Sequence, residues 1–160
     1  MRMLGTLTAM AGIAVGLGGC SAGMGRYDVR VMPSDQLKNA GSGVSLKMDL
    51  VGVSDFEKVK YESMPIDEYL TAPSGQAYSM VFSGKDMKEQ VLSKNDKIWG
   101  VWSEAKARWL FMFVDFPPEA GAARREAIPI RADRWDKTTI EVQLNPRSIR
   151  VITQPKPDKE

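Results

Sequence analysis

The run from Trp109 to Val114 is the segment that most constrains the fold, because all six of its residues are apolar. A strand with one face in water alternates apolar and polar residues, so this run must be covered on both faces. Its length and its aromatic content favour a strand over a helix. Pro117 and Pro118 follow closely and end the segment. The chain therefore needs apolar material on both sides of one central strand.

Strand patterns dominate the rest of the chain, where apolar and polar residues alternate over short segments. These segments are Tyr27–Val31, Val44–Leu50, Glu57–Tyr61, Tyr78–Phe82, Ile98–Trp102, Ile128–Ile130, Ile140–Leu144 and Ile149–Ile152. Gly52 is expected to mark a bulge. Helix is predicted at Asp86–Lys94 and, as a single turn, at Pro65–Leu70. Together these patterns predict a mainly β protein, a two-sheet β-sandwich with one or two short helices.

The first 19 residues have the organisation of a secretory signal peptide. Arg2 supplies a positive charge, and the apolar stretch Leu4–Leu17 is shorter than the roughly 20 residues that span a membrane. Leu17-Gly18-Gly19-Cys20 resembles a bacterial lipobox, in which a peptidase cuts before a cysteine that then carries lipid. The resemblance implies that residues 1–19 are a signal peptide and that palmitate-type acyl chains are attached at Cys20. The alternative is an ordinary secreted protein with an incidental cysteine.

The lipobox resemblance also implies a location and a domain order. Ser21 follows the cysteine, and by the sorting rule of such lipoproteins a serine implies the outer membrane, with the protein facing the periplasm. In a host with one membrane the same anchor implies the cell membrane. We expect residues 20–25 to be a lipidated tether, residues 26–153 one β-sandwich domain, and residues 154–160 a disordered, charged tail.

Composition excludes several classes of function. The chain has no histidine and one cysteine, which removes histidine-assisted nucleophilic catalysis, histidine metal ligands and disulfides. Its 22 basic and 20 acidic residues are nearly balanced, so a nucleic-acid partner is not expected. We predict no catalytic residue, no metal site and no cofactor.

Candidate contact residues lie in the final third. Trp99, Trp102 and Trp109 are interpreted as core residues, with Trp99 and Trp102 on opposite faces of a strand. Trp135 stands among charged residues, so we expect it to be exposed and, with Arg131 and Arg134, to contact a partner.

The arginines themselves leave two interpretations open. Arg124, Arg125, Arg131 and Arg134 indicate either a site for an anion, a partner or lipid headgroups, or a solvated face of weak surface pairs.

Among the carboxylates, the neighbours Asp67 and Glu68 and the pair Asp86 and Glu89 are typical of helix starts. Asp115 follows the buried strand, and we expect burial to affect it. An acid–base function needs two carboxylates across a cleft, and no second group for Asp115 is identifiable in the sequence.

The order of motifs over residues 44–115 resembles the outer-membrane lipoproteins of type VI secretion systems. An aliphatic strand ends in Leu50-Val51-Gly52-Val53 and is followed by Asp55-Phe56 and the turn at Pro65–Leu70. Trp99-Gly100-Val101-Trp102 then precedes Ala107-Arg108-Trp109. The resemblance implies a transthyretin-like or immunoglobulin-like sandwich that binds an envelope protein. We therefore expect a membrane-anchored, non-enzymatic binding or scaffold module. A carboxylate-dependent envelope glycan hydrolase and a carrier of a small apolar ligand remain as alternatives.

Overall fold

Two four-stranded β-sheets form the fold. The structure is a computed structural model and describes residues 23–40, 43–84, 87–117 and 122–157. Its strands are β1 (Asp28–Pro33), β2 (Ser45–Val53), β3 (Tyr78–Ser83), β4 (Gln90–Leu92), β5 (Trp109–Val114), β6 (Arg125–Pro129), β7 (Thr139–Asn145) and β8 (Ser148–Val151). The sheets have the orders β4-β1-β7-β8 and β3-β2-β5-β6, and only β1 and β7 are paired in parallel among these strands. A large apolar core with residues from both sheets confirms the predicted β-sandwich.

Short helices connect the strands. They are α1 (Asp35–Asn39), α2 (Asp55–Ser63), α3 (Ile66–Thr71) and α4 (Ile98–Glu104), and a single 3-10 turn covers Ala132–Arg134. The described residues thus contain more helix than the one or two elements predicted. The turn predicted at Pro65–Leu70 is confirmed as α3, with Pro65 immediately before its first residue.

The central position predicted for Trp109–Val114 is confirmed, because β5 lies between β2 and β6. Leu110, Met112 and Val114 belong to the core between the sheets. Phe111 and Phe113 point to the other side, where α2 and α3 cover them in a second apolar cluster. The ring of Tyr69 in α3 stacks on that of Phe113, with 3.8 Å between centroids.

The strand predicted at Glu57–Tyr61 is wrong, because these residues belong to helix α2. Ser54 caps the helix: its Oγ accepts a hydrogen bond from the Glu57 backbone N–H and donates one to Glu57 Oε2, both at 3.3 Å. The first of these bonds satisfies one of the backbone N–H groups that a helix start leaves free. Val59, which we expected to point inward, is 70% exposed.

The strand predicted at Ile98–Trp102 is also wrong, because this segment is helix α4. Trp99 and Trp102 are therefore on one face rather than on opposite faces, and their rings make an edge-to-face contact at 5.0 Å. Their indole N–H groups donate to the carbonyls of Ser93 and Gln76, each at 2.9 Å. Both tryptophans are fully buried, so their assignment to the core is confirmed.

Two further predictions need correction. The segment Asp86–Lys94 was predicted as a helix, but Gln90–Leu92 is strand β4, which pairs with β1; Asp86 itself lies outside the described residues. Gly52 does not mark a bulge, because β2 and β5 pair without interruption from Met48 to Val53.

The sandwich has two ends that matter for function. At the end that we call the tether end, Gly25 donates a backbone hydrogen bond to Ile130 at 2.7 Å, and Gly23 accepts one from Ala132 at 2.9 Å. The distal end lies at the other end of β1, where α1, the start of β2 and the turn between β7 and β8 are found.

The described part of the C-terminal segment also has fixed partners. The Lys156 N–H donates to the Arg134 carbonyl at 2.7 Å, and Lys156 Nζ lies 2.6 Å from an oxygen of Asp136. The disorder expected for 154–160 stays a prediction, and residues 158–160 lie outside the described residues.

Candidate functional site

The predicted contact residues of the final third lie at the tether end, but one of them is not at the surface. Trp135 is 6% exposed, so the expectation that it is exposed is wrong. Its indole N–H donates to the Pro129 carbonyl at 2.8 Å, and its ring packs against Tyr27. The charged neighbours Asp133, Asp136 and Lys137 are exposed, whereas the tryptophan ring is buried.

Arg131 and Arg134 both have defined partners. The Arg131 guanidinium binds Asp133 through two hydrogen bonds of 3.2 and 2.9 Å, and these lower the pKa of the Asp133 carboxyl. Arg134 Nε donates to the Lys156 carbonyl at 3.0 Å. Neither Arg131 nor Arg134 contacts Arg124 or Arg125 in the described structure.

Arg124 and Arg125 lie instead towards the distal end. Arg124 contacts Asp67 at 2.8 Å, and Arg125 donates to the carbonyls of Tyr61 and Met64, each at 2.8 Å. The latter contacts satisfy carbonyls at the end of α2, where a cation is favoured. The four arginines therefore do not form one anion site.

A cleft of about 460 Å³ opens at the distal end between α1, the start of β2 and the end of β5. Its walls are largely apolar and include Leu37, Val44, Leu46 and Phe116. Pockets of roughly 300–1,000 Å³ with such walls accommodate small ligands or anchoring side chains. Sequence reasoning missed this cleft, because its walls come from segments that are far apart in the chain.

The charged groups of the distal cleft are Asp115 and Arg124. Asp115 is exposed, contrary to our expectation, and accepts a hydrogen bond from the Lys47 backbone N–H at 2.6 Å. The Arg124 side chain is 12% exposed, and its Nε has no hydrogen-bond partner among the described residues. A buried N–H without a partner is costly, so an acceptor from a bound molecule would stabilise this group.

Asp49 is the buried carboxylate that the sequence did not reveal. It is 2% exposed on the outer side of β2 and accepts hydrogen bonds from Ser79 Oγ at 2.5 Å and Tyr69 Oη at 3.3 Å. Lys47 Nζ lies 3.2 Å away. Burial and then the Asp49 charge raise the pKa of Tyr69, so the phenol keeps its proton and remains a donor.

These carboxylates do not form an acid–base pair. Asp49 lines none of three clefts compared among the described residues, the distal cleft, one beside Met32 and Met87 and one beside Gly23 and Lys106, and none of these has more than one carboxylate in its walls. A glycosidase needs two carboxyl groups about 5–10 Å apart across the bond that is cut. The described residues also contain no group of three or more Asp, Glu, Cys or His side chains that would hold a metal ion.

Among the described residues, no helix has the length and the apolar character needed to cross a bilayer. Cys20 and the predicted signal peptide lie outside the described residues.

Comparison with known proteins gives a fold. No family model matches the chain, and no curated protein matches it. Among solved structures it is similar to Lip from Serratia marcescens, described as a membrane-bound component of the type VI secretion system. The TM-score is 0.58 at 12% identity, and the match covers 81% of this chain and 98% of that one.

Two further solved structures have a similar fold. The T6SS lipoprotein TssJ1 from Pseudomonas aeruginosa matches with a TM-score of 0.54 at 11% identity, over 84% of this chain and 99% of that one. A chain of a type VI membrane complex matches with a TM-score of 0.54 at 8% identity, over 81% of this chain and 98% of that one. The resemblance derived from the sequence is thus confirmed at the level of the fold: the chain has the sandwich of type VI secretion lipoproteins.

Proposed function

We propose that this chain is a lipid-anchored, non-enzymatic docking module of a type VI secretion membrane complex. The observation that carries the proposal is the likeness of its fold to T6SS lipoproteins over nearly their whole length. The absence of histidine from the sequence and the lack of two carboxylates in any described cleft support a binding role rather than catalysis.

The anchor in this proposal is a diacylglyceryl group on Cys20, supported by the lipobox-like Leu17-Gly18-Gly19 before it. Several acyl chains hold a protein stably on a bilayer, whereas one chain binds only marginally. Ser21 supports attachment to the outer membrane, from which the sandwich faces the periplasm.

The distal cleft is the docking site in this proposal. Residues 23–25 are bound at the tether end, so the distal cleft lies at the end of the sandwich away from the anchor. It combines apolar walls with Arg124, whose Nε lacks an acceptor in the described structure. We expect it to take an apolar segment with an adjacent acidic group from another envelope protein.

Site-specific photocrosslinking tests the docking site. A benzoyl-phenylalanine at Ala40, an exposed residue of the cleft wall, should crosslink to a component of the same secretion apparatus. The matched control is the same group at Val81, which is 54% exposed on β3 and outside the cleft. Equal crosslinking from both positions, or a product that consists only of abundant unrelated proteins, would contradict the docking site.

The anchor has its own test. The Cys20→Ser variant should lose its acyl chains by intact mass and should be released from the membrane fraction. Its sandwich should keep the Tm of the acylated form, because the core residues of both apolar clusters lie beyond residue 26. A variant that stays membrane-bound and fully processed would show that another anchor exists.

The size and apolar walls of the distal cleft also favour one alternative, a carrier of a small apolar ligand. Native mass spectrometry of protein extracted under mild conditions separates the two functions. A bound molecule of a few hundred daltons, displaced by Val44→Arg, would favour the carrier; crosslinks to the secretion apparatus from position 40 favour the docking module.

A further inference from the structure

The tether end carries a set of exposed cations that the docking function does not use. They come from five different places in the chain: Arg26 before β1, Lys94 after β4, Lys97 and Lys106 at the two ends of α4, and Lys137 before β7. Within the part of the chain that the structure describes, none of these five side chains forms an ion pair. Their ammonium and guanidinium groups therefore face solvent.

Two acidic residues at the tether end are held in ion pairs. Asp133 is bound by Arg131 at 2.9 Å, and Asp136 lies 2.6 Å from Lys156. Asp28 accepts a hydrogen bond from the Lys94 backbone N–H at 2.8 Å. Asp28 and Asp96 accept only backbone hydrogen bonds and keep their charges, and Glu104 is exposed at the end of α4. The five cations outnumber these three carboxylates, so this end carries a small excess of positive charge that attracts anions.

The position of the tether fixes how close this surface is to a bilayer. Gly23 and Met24 line a small cleft together with Lys106 and Arg108, so the chain enters the fold beside these cations. Three peptide steps separate Gly23 from Cys20, which span about 11 Å at most. Electrostatic attraction at physiological salt acts over about 8 Å. A lipid on Cys20 would hold the cations within or close to this range.

One apolar side chain belongs to the same end. Phe56 is 95% exposed in the first turn of α2, which begins directly after β2 ends at Val53. The Val53 carbonyl accepts a hydrogen bond from the Arg108 N–H at 2.9 Å, which places this helix start beside the small cleft. Exposed aromatic side chains near basic residues are typical of protein surfaces that lie in the headgroup region.

We propose that the tether end of the sandwich rests on a surface of anionic phospholipid, with Lys97, Lys106 and Lys137 against the headgroups and Phe56 between them. The proposal rests on the acylation of Cys20 in the proposed function. It adds a defined orientation: the sandwich stands on its tether end and presents the distal cleft away from the bilayer. The recognised chemistry is the lipid phosphate, since basic side chains near an anionic membrane gain binding energy from it.

Energy transfer on vesicles tests this orientation. Cys20 is the only cysteine in the chain, and acylation blocks it, so a cysteine introduced at Ser103 or at Ala40 takes a donor dye specifically. Ser103 is exposed at the tether end, and Ala40 is exposed at the distal end. The acylated protein is reconstituted in phosphatidylglycerol-containing vesicles with an acceptor on the headgroups. We expect much stronger transfer from position 103 than from position 40.

The charge dependence distinguishes a membrane contact from simple tethering. A triple variant should reduce energy transfer from position 103; it combines Lys97→Gln, Lys106→Gln and Lys137→Gln. Purely zwitterionic vesicles or high salt should reduce the transfer of the unchanged protein in the same way. The matched control removes three exposed cations elsewhere, Lys38→Gln, Lys88→Gln and Arg150→Gln, and should leave the transfer unchanged. A Phe56→Ser variant should also reduce it.

Three results would overturn the proposal. If energy transfer from position 103 is the same with charged and zwitterionic lipid and in all these variants, the tether alone sets the distance between the sandwich and the bilayer. Equal transfer from positions 40 and 103 would mean that no preferred orientation exists. A cation triple variant that loses crosslinks to an envelope protein but keeps its energy transfer would assign the surface to a protein. Intact mass reports the acylation of Cys20 separately, so failure of the anchor is not confused with failure of the contact.

Discussion

The ring of Trp102 lies directly against the backbone of Gly52, so that a Cβ at Gly52 would stand 2.3 Å from Trp102 Cγ. Gly52 occupies a regular position of the ladder between β2 and β5, opposite Leu110. Glycine is needed there because α4 packs a fully buried tryptophan against the sheet at van der Waals distance. The close approach of a helix to a strand, rather than a bulge, explains this residue.

Gly52→Ala should therefore destabilise the fold by about 1–3 kcal/mol, the range for overpacking a tight core. The matched control is Gly100→Ala in α4, where a Cβ has nothing within 4 Å. Alanine there should stabilise the helix by up to about 1 kcal/mol. Urea unfolding of both variants measures the difference. If Gly52→Ala is as stable as the unchanged protein, Trp102 moves aside at no cost in free energy.

The strands that the sequence predicted well are those with one face in the core. In β1, β3 and β7 every second residue is buried, so alternation in the sequence mirrors alternation in space. The central strand β5 was equally readable, because a run that is apolar on both faces has few other places in a sandwich. The local pattern of apolar and polar residues thus predicted most of the strands.

The sequence analysis missed helices where a short segment fits both the two-residue repeat of a strand and the 3.6-residue repeat of a helix. In Glu57–Tyr61 an alternation of apolar and charged residues is real, yet the segment is helical because Ser54 and Glu57 cap it. The Ser-x-x-Glu spacing was the readable signal. In α4 the three-residue spacing of Trp99 and Trp102 was the corresponding signal. In α4 both tryptophans are buried against the sheet, which one sequence does not show, whereas α2 contains no fully buried residue.

The site was less predictable than the fold. Trp135 stands among charges in the sequence, but its ring turns inward to donate to Pro129 and pack on Tyr27. Asp49 alternates with apolar residues like an outward residue, yet α3 covers it. The distal cleft joins α1, β2 and β5, which are separated by many residues. Such features depend on which segments meet, and local patterns do not contain that information.

Asp49 should be more sensitive to truncation than to neutralisation. Asp49→Ala removes the acceptor for the buried hydroxyl of Tyr69 and for the exposed Ser79, and the loss at Tyr69 should cost roughly 1–3 kcal/mol. Asp49→Asn keeps one oxygen acceptor and a similar volume, so it should cost less. Its lost attraction to Lys47 is screened, because the Lys47 side chain is 43% exposed. Free energies of unfolding in urea compare the two variants; a more damaging Asn variant would contradict a hydrogen-bonding role.

Tyr27 should make the fold sensitive to alkaline pH. Burial, and then the charge of Asp133, raise the pKa of Tyr27 from 10.0 to about 12. The unfolded chain releases this proton near pH 10, whereas the folded chain keeps it up to about pH 12. The stabilisation from Tyr27 is therefore complete below pH 10 and is lost as the pH rises towards 12.

Tyr27→Phe removes the titrating hydroxyl together with its 3.0 Å hydrogen bond to the Arg131 carbonyl. The variant should be less stable near neutral pH, and its stability should fall less steeply between pH 10 and 12 than that of the unchanged protein. Tm measured at intervals of pH across this range gives the two slopes. Parallel curves would show that Tyr27 titrates alike in the folded and unfolded chains.

Lys106 combines a cation of the tether end with a backbone conformation that favours glycine. Its φ is 57°, directly after the C-cap Ala105 of α4. A side chain in this left-handed region costs roughly 1–2 kcal/mol, so Lys106→Gly should raise the free energy of unfolding by about 1 kcal/mol. Lys97→Gly is the matched control, because Lys97 has φ −60° in the right-handed region and glycine brings no relief there.

Both glycine variants remove one cation from the same end of the protein, so both should weaken the membrane contact measured by energy transfer from position 103. Their stabilities should move in opposite directions, upward for Lys106→Gly and slightly downward for Lys97→Gly. A loss of contact shared by a stabilised and a destabilised variant is explained by charge and not by unfolding. If the loss of contact follows stability instead, the cations of α4 act through the fold and not through lipid.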